Sequence, residues 1–223
     1  SLRALTSGLL TIHDSVGSEH DQLFAEGTSG DDVLVMRYND LTFNNQHIDF
    51  VYPGIEELSV DGAGGDDVFS IQANDKELHV YGSYGNDTFN ISTDAPSNMG
   101  NTNLILEDLF IDGGAGQNRL FVSNRGGGGH HVDITDNQIS GLSPGVIHYT
   151  AELGGFSVVD DLAGIEVHGS DTLADVFDIK GMLPSNTLRV EGGGGRDVFT
   201  VRKATEGSIE LDGEDGGDIY RVA

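Results

Sequence analysis

The stretch Asp61-Gly62-Ala63-Gly64-Gly65-Asp66-Asp67-Val68-Phe69-Ser70-Ile71 decides how this chain is read. A glycine-rich bend leads into a short run in which Phe69 and Ile71 alternate with Val68 and Ser70. Glycine reaches positive φ without a Cβ penalty, so it suits the bend. Alternation with a period of two marks a strand that buries one face. The pattern recurs as EGTSGDDVLV ending at Val35, YGSYGNDTFNI ending at Ile91 and DGGAGQNRLFV ending at Val122. It returns as HGSDTLADVFDI ending at Ile179, EGGGGRDVFTV ending at Val201 and DGEDGGDIYRV ending at Val222, and a weaker copy runs from His13 to Phe24. Self-similarity at this scale points to a repeat architecture.

The spacing sets the size of the repeat. Asp67 to Asp87 is 20 residues, Asp175 to Asp197 is 22 and Asp197 to Asp218 is 21. About 20 residues accommodate two short strands and two corners, as in VFTVRK followed by SIEL. Helical periodicity is lacking, because glycine and Asn/Asp pairs interrupt each apolar run. The corners keep one sequence polarity and exceed the two-residue Asn-Gly or Asp-Gly hairpins expected of an antiparallel sandwich. The expected fold is therefore all-β, a right-handed parallel β-solenoid with rungs of about 20 residues. Phe69, Phe89, Phe121, Phe177, Phe199 and Tyr220 are expected to point inward and stack. Residues 1–223 read as one such domain or part of a longer one, with a possible internal duplication of 27–112 in 113–223 and an insertion between Ser143 and Ala163.

Composition narrows the function. Thirty-seven acidic residues against 11 basic ones give a formal charge of -26. Such a surface disfavours nucleic acid and anionic lipid and attracts cations. With 33 glycines, 4 prolines and no cysteine, the chain is turn-rich and has neither disulfides nor thiolate metal sites. No apolar run is long enough for membrane insertion as a helix. Rigidity then has to come from repetition and from bound cations. Calcium takes six to eight oxygen ligands in a forgiving geometry, which carboxylates and carbonyls of glycine corners can supply. The metal-ligand candidates are Asp32, Asp67, Asp87, Asp175, Asp197 and Asp218, with Asp31, Asp61, Asp66, Asp112, Glu191, Asp212 and Asp215 beside them. The competing reading is that each Asp caps its own turn by accepting backbone N–H groups.

These corners resemble the glycine- and aspartate-rich repeats of RTX, or haemolysin-type, calcium-binding proteins. The closest pieces are Gly62 to Phe69, Gly113 to Asn118 and Gly193 to Phe199. The resemblance implies a parallel β-roll holding calcium between turns, with Asp67, Asp87, Asp197 and Asp218 as ligands, in a secreted or cell-surface protein. The family's nonapeptides follow in tandem on both sides of the roll, whereas here one corner per repeat is well formed. The unit GIEELSVDGAGGDDVFSI also resembles repeats of very large bacterial surface or secreted proteins.

Catalytic signatures are missing. No H-E-x-x-H accompanies the eight histidines, no G-x-S-x-G precedes a helix, and the runs Gly126–Gly129 and Gly192–Gly195 do not end in Gly-Lys-Ser or Gly-Lys-Thr. Adjacent His130 and His131 face opposite ways on a strand and read as exposed or packing residues. The expectation is a non-enzymatic structural, scaffold or adhesive module of an extracellular or cell-surface assembly, stiffened by calcium. Its expected partners are neighbouring solenoid domains, copies of itself, a glycan or a surface protein. The alternative is a polysaccharide-binding or polysaccharide-degrading β-helix, with Asp160-Asp161 as the acid pair for cleavage. Exposed aromatic rings along one face would favour sugar binding.

Overall fold

A computed structural model describes residues 9–13, 20–51, 55–157, 164–202 and 207–223. They are all-β, with no helix among them. The chain opens with β1 (Leu9–His13), β2 (Gln22–Glu26) and β3 (Val33–Met36), then turns out through β4 (Asp40–Phe43) and β5 (Gln46–Val51). A regular stretch follows: β6 (Glu57–Asp61), β7 (Val68–Ile71), β8 (Glu77–Tyr81), β9 (Thr88–Ile91), β10 (Leu109–Asp112) and β11 (Ala115–Ser123). A second excursion carries β12 (His131–Ile134), β13 (Gln138–Ser140), β14 (Ile147–Thr150) and β15 (Leu153–Phe156). The chain closes with β16 (Ile165–His168), β17 (Val176–Ile179), β18 (Thr187–Glu191), β19 (Gly194–Gly195), β20 (Val198–Val201), β21 (Ser208–Asp212), β22 (Asp215–Gly216) and β23 (Ile219–Val222).

Outside the two excursions, successive long strands go to alternate sheets. The first sheet runs β1-β5-β4-β3-β7-β9-β11-β16-β18-β21, with β15 on β11, and the second runs β2-β6-β8-β10-β14-β13-β12-β17-β20-β23. Pairing is parallel except where β3-β4-β5 and β12-β13-β14 fold back antiparallel. The registers match the 20- to 22-residue repeat, since Phe69 lies opposite Phe89 and Phe177 opposite Phe199. Parallel neighbours require a crossover, which the other sheet's strand and two corners provide. Inward positions of both sheets share one buried cluster, including Leu58, Val60, Phe69, Ile71, Leu78, Val80 and Phe89. Each strand has at most a few inward residues, so its apolar face is covered only by the opposite sheet and by neighbours above and below.

The expected single aromatic column is instead two. Phe69 and Phe89 stack in the first sheet at 4.8 Å and 5°. Phe177, Phe199 and Tyr220 stack in the second, at 5.2 Å and 5.1 Å. The cause is the second excursion, which changes which sheet the chain leaves when it enters a corner. Before it, corners lead from the second sheet into the first (β6 to β7, β8 to β9, β10 to β11); after it, from the first into the second (β16 to β17, β18 to β20, β21 to β23). Phe121 is a correction: Leu120 lies opposite Phe89 and is buried, so Phe121 faces outward and meets His168 at 4.6 Å. A one-residue offset exchanges the faces of a strand. Tyr220 keeps its place in the column but is 52% exposed, and among the described residues Phe199 is the ring stacked on it.

Candidate functional site

Among the described residues, one hydrogen-bond pattern links the Asp of one corner to that of the next. The Asp32 amide donates to Asp67 Oδ1 at 2.8 Å, the Asp67 amide to Asp87 Oδ1 at 2.9 Å, and the Asp87 amide to Asn118 Oδ1 at 2.9 Å. A second ladder of the same polarity follows the excursion. There the Asp175 amide donates to Asp197 Oδ1 at 2.6 Å and the Asp197 amide to Asp218 Oδ1 at 3.0 Å. Asp32, Asp67, Asp87, Asp175 and Asp197 are buried, while Asp218, in the last repeat, is half-buried. The six predicted residues thus fall into two groups of three, each on its own ladder.

Their second oxygens differ. Thr28 N donates to Asp32 Oδ2 at 2.7 Å, and Ser170 N to Asp175 Oδ2 at 2.8 Å. Oδ2 of Asp67, Asp87 and Asp197 is buried without a hydrogen-bond donor. Desolvation accordingly pushes the Asp67 carboxyl up to about 7 and that of Asp87 to about 6, against the amide bonds that favour the anion. Burial raises Asp175 and Asp197 in the same direction. A glycine makes room for each such oxygen: a Cβ on Gly62 would stand 2.1 Å from Asp67 Oδ2, and one on Gly192 would stand 2.4 Å from Asp197 Oδ2.

An outer row runs beside the first ladder with the opposite polarity. Asp66 N donates to Asp31 Oδ1 at 2.9 Å, Asn86 N to Asp66 Oδ1 at 2.8 Å and Gln117 N to Asn86 Oδ1 at 2.9 Å. Asp61, Asp112 and Asp212 each accept the amide two residues on, closing their own turns. Asp215 is exposed on β22. Glu191 belongs to a buried ion-pair group with His168 at 2.8 Å, Arg125 at 2.7 Å and Arg189 at 2.9 Å. Arg119 holds Glu166 nearby at 2.9 Å. Among the described residues, the oxygens left to take a cation are the three buried, unpartnered Oδ2 atoms, Oδ2 of half-buried Asp218 and the outer carboxylates, an all-oxygen set of the kind calcium prefers. Asp32 and Asp175 have both oxygens on donors already.

His131, Asp133 and Asp178 also bring ligand atoms within 4.8 Å of one another. Cations of the chain already occupy that spot. Lys180 Nζ lies 2.8 Å from Asp133 Oδ2, and Arg202 Nε holds both oxygens of Asp178 at 2.5 and 2.7 Å. Asp133 and Asp178 are directly paired across β12 and β17, and like charges so placed repel unless neutralised. The grouping is therefore an ion-pair cluster. His131 is exposed, as expected.

Sequence reasoning missed a furrow on the outer face of the second sheet. His79, Phe110 and His148 occupy one row across β8, β10 and β14, with ring centroids 4.7 and 4.6 Å apart and planes within 8°. The rings cover one another's faces at the strand spacing. The neighbouring row reads Asp61, Tyr81, Asp112, Thr150. Shorter side chains at Asp112 and Thr150 leave a depression of about 310 Å³, walled by Tyr81, Phe110, His148 and Asn137. A second depression of about 190 Å³ adjoins it, sharing Tyr81 and Asp112 and adding Ser83, Tyr84, Glu152 and Leu153. The available signal was an aromatic or imidazole ring at the outward position of three strands, where a solvated face ordinarily carries small polar groups. Asp160 and Asp161, the acid pair considered for cleavage, lie outside the described residues. No protein-family model, curated protein or solved structure matches this chain.

Proposed function

We propose that this chain is a structural, adhesive module of an extracellular or cell-surface assembly, coiled as a right-handed parallel β-solenoid. The observation that carries the reading is the pair of Asp ladders. Each passes a hydrogen bond from one repeat to the next, alongside the strand registers and the ring columns. Three parallel sets of contacts along one direction make a stiff column whose repeats support only their neighbours. A high negative charge keeps such a column soluble and separated from others. Immunolabelling of intact, unpermeabilised source cells and of their culture medium tests the location. Signal at the surface or in the medium is expected; protein confined to the soluble interior would rule the reading out.

Calcium binding at the corners is the accompanying reading, favoured by the unpartnered Oδ2 atoms of Asp67, Asp87 and Asp197. Asn118 sets a limit on it. This residue takes the ladder position without a charge and accepts the Asp87 amide at the same distance as the Asp87 carboxylate accepts that of Asp67. The ladder's hydrogen bond therefore requires an acceptor oxygen, and a cation would act on the other oxygen.

A further inference from the structure

We propose that the furrow on the second sheet binds an uncharged glycan chain, with the Tyr81 ring as its stacking platform. This inference rests on the adhesive reading above and names the ligand class and the site. Tyr81 stacks beside His79 at 6.3 Å with its plane within 15°, so its ring stands parallel to the row of three rings. Its neighbours in its own row are Asp61 and Asp112, not rings. One ring face is therefore turned along the row, over the depression above Asp112 and Thr150. An aromatic face beside hydroxyl, amide and carboxylate groups fits a pyranose, which offers C–H groups on its faces and hydroxyls around its rim.

The polar groups are suitably disposed. Burial and the nearby acids Glu57, Asp112 and Asp61 raise the Tyr81 hydroxyl above its ordinary range, so it stays a donor. Asn137 stands on the far side, with Thr150 and His148 between. Asp112 Oδ1 is already bonded to the amides of Gly114 and Glu152, at 2.9 and 3.4 Å, which fixes that carboxylate in place. The main depression, about 310 Å³, lies at the lower end of the roughly 300–1,000 Å³ typical of small-ligand sites. Its continuation past Tyr84, 68% exposed, and Leu153, 76% exposed, lengthens it for a chain instead of a single sugar.

Charge selects among glycans. Asp61, Asp112 and Glu152 line or border the furrow, and the chain's formal charge is -26. Uronate, sulfate or phosphate groups would be repelled, whereas a neutral chain meets no such cost.

The test uses the whole chain with cello-, chito- and manno-oligosaccharides of increasing length, and with polygalacturonate and heparin as anionic probes. Titration calorimetry should show saturable binding of at least one neutral series and none of the anionic probes. Tyr81→Ala should weaken it roughly five- to tenfold, while Tyr81→Phe keeps most of the affinity. Tyr84→Ala should weaken the longer oligosaccharides and leave the shortest unchanged. Binding that survives Tyr81→Ala, preference for an anionic probe, or no neutral oligosaccharide bound at millimolar concentration would each overturn the proposal. Melting temperature measured on every variant separates loss of the site from loss of the fold. Cell-surface labelling is independent of all these, so failure here leaves the location of the module standing or falling on its own result.

Discussion

Asp67 carries two oxygens into the interior of a corner, and only one of them meets a donor. A carboxylate in that position costs more desolvation than a neutral carboxamide or protonated carboxyl. Asn118 shows that the amide is accepted at the equivalent place. Asp67→Asn should therefore fold, keep the bond from the Asp32 amide and melt above the parent at about pH 8, with the gain vanishing at about pH 4. Thermal melts across that range check it; a loss at about pH 8 that shrinks towards about pH 4 would show instead that the charge is used. Gly62 has the contrary tolerance. A methyl group there would meet Asp67 Oδ2 at 2.1 Å, so Gly62→Ala should cost about 1–3 kcal/mol or more in denaturant unfolding.

At the scale of strands, the columns rather than single side chains hold the repeats in register. Phe89 lies between Phe69 and Leu120 in the first sheet and meets Phe156 edge-on at 6.3 Å. Truncating it removes contacts with the repeats on both sides. Phe89→Ala should cost about 3–5 kcal/mol, the range for a fully buried ring, while Phe121→Ala two strands on should cost much less because that ring faces outward. Equal losses in denaturant titrations would contradict the register. Arg125 fastens the link after β11 to β18 through Glu191 at 2.7 Å and to the corner between β16 and β17 through Asp171 at 3.2 Å. Its removal leaves the buried Glu191 with His168 and Arg189 alone.

Over the whole molecule these groups give a pH profile with a definite sign. Asp67 and Asp87 have folded-state values raised to about 7 and about 6, so their contribution is full below the unfolded value near 3.8 and is lost as pH rises through them. His168 moves the same way: burial pulls it down, but its bonds to Glu166 and Glu191 outweigh burial and raise it, so its contribution fades above its unfolded value of 6.5. Glu191 is lowered, chiefly by its bond to His168, and contributes until acid protonates it below 4.5. Stability should peak near about pH 5 and fall towards about pH 8 in the presence of a chelator. Calcium on the free oxygens would require them ionised, so millimolar calcium should flatten that fall. A melting profile unchanged by calcium at every pH would remove the metal from the corners.

The repeat, its length, the strand alternation and the glycine corners all follow from local sequence. Each depends on interactions within a few residues, on φ preferences and on which faces are apolar. The six ladder carboxylates were legible for the same reason, since they stand at a fixed offset from a glycine bend. Their ladder partners were not, because these lie 20 or more residues away: Asp67 takes its amide from Asp32 and gives its own to Asp87. Aligning Phe121 by its ring instead of by its distance from Asn118 misplaced it by one residue, which in a strand means the opposite face. Only the tertiary structure decided that the second excursion sends later corners into the other sheet, splitting one expected column into two. It also created the furrow, for a groove between rows exists only once β8, β10 and β14 lie side by side, and pairing between distant strands is a property of the folded chain as a whole.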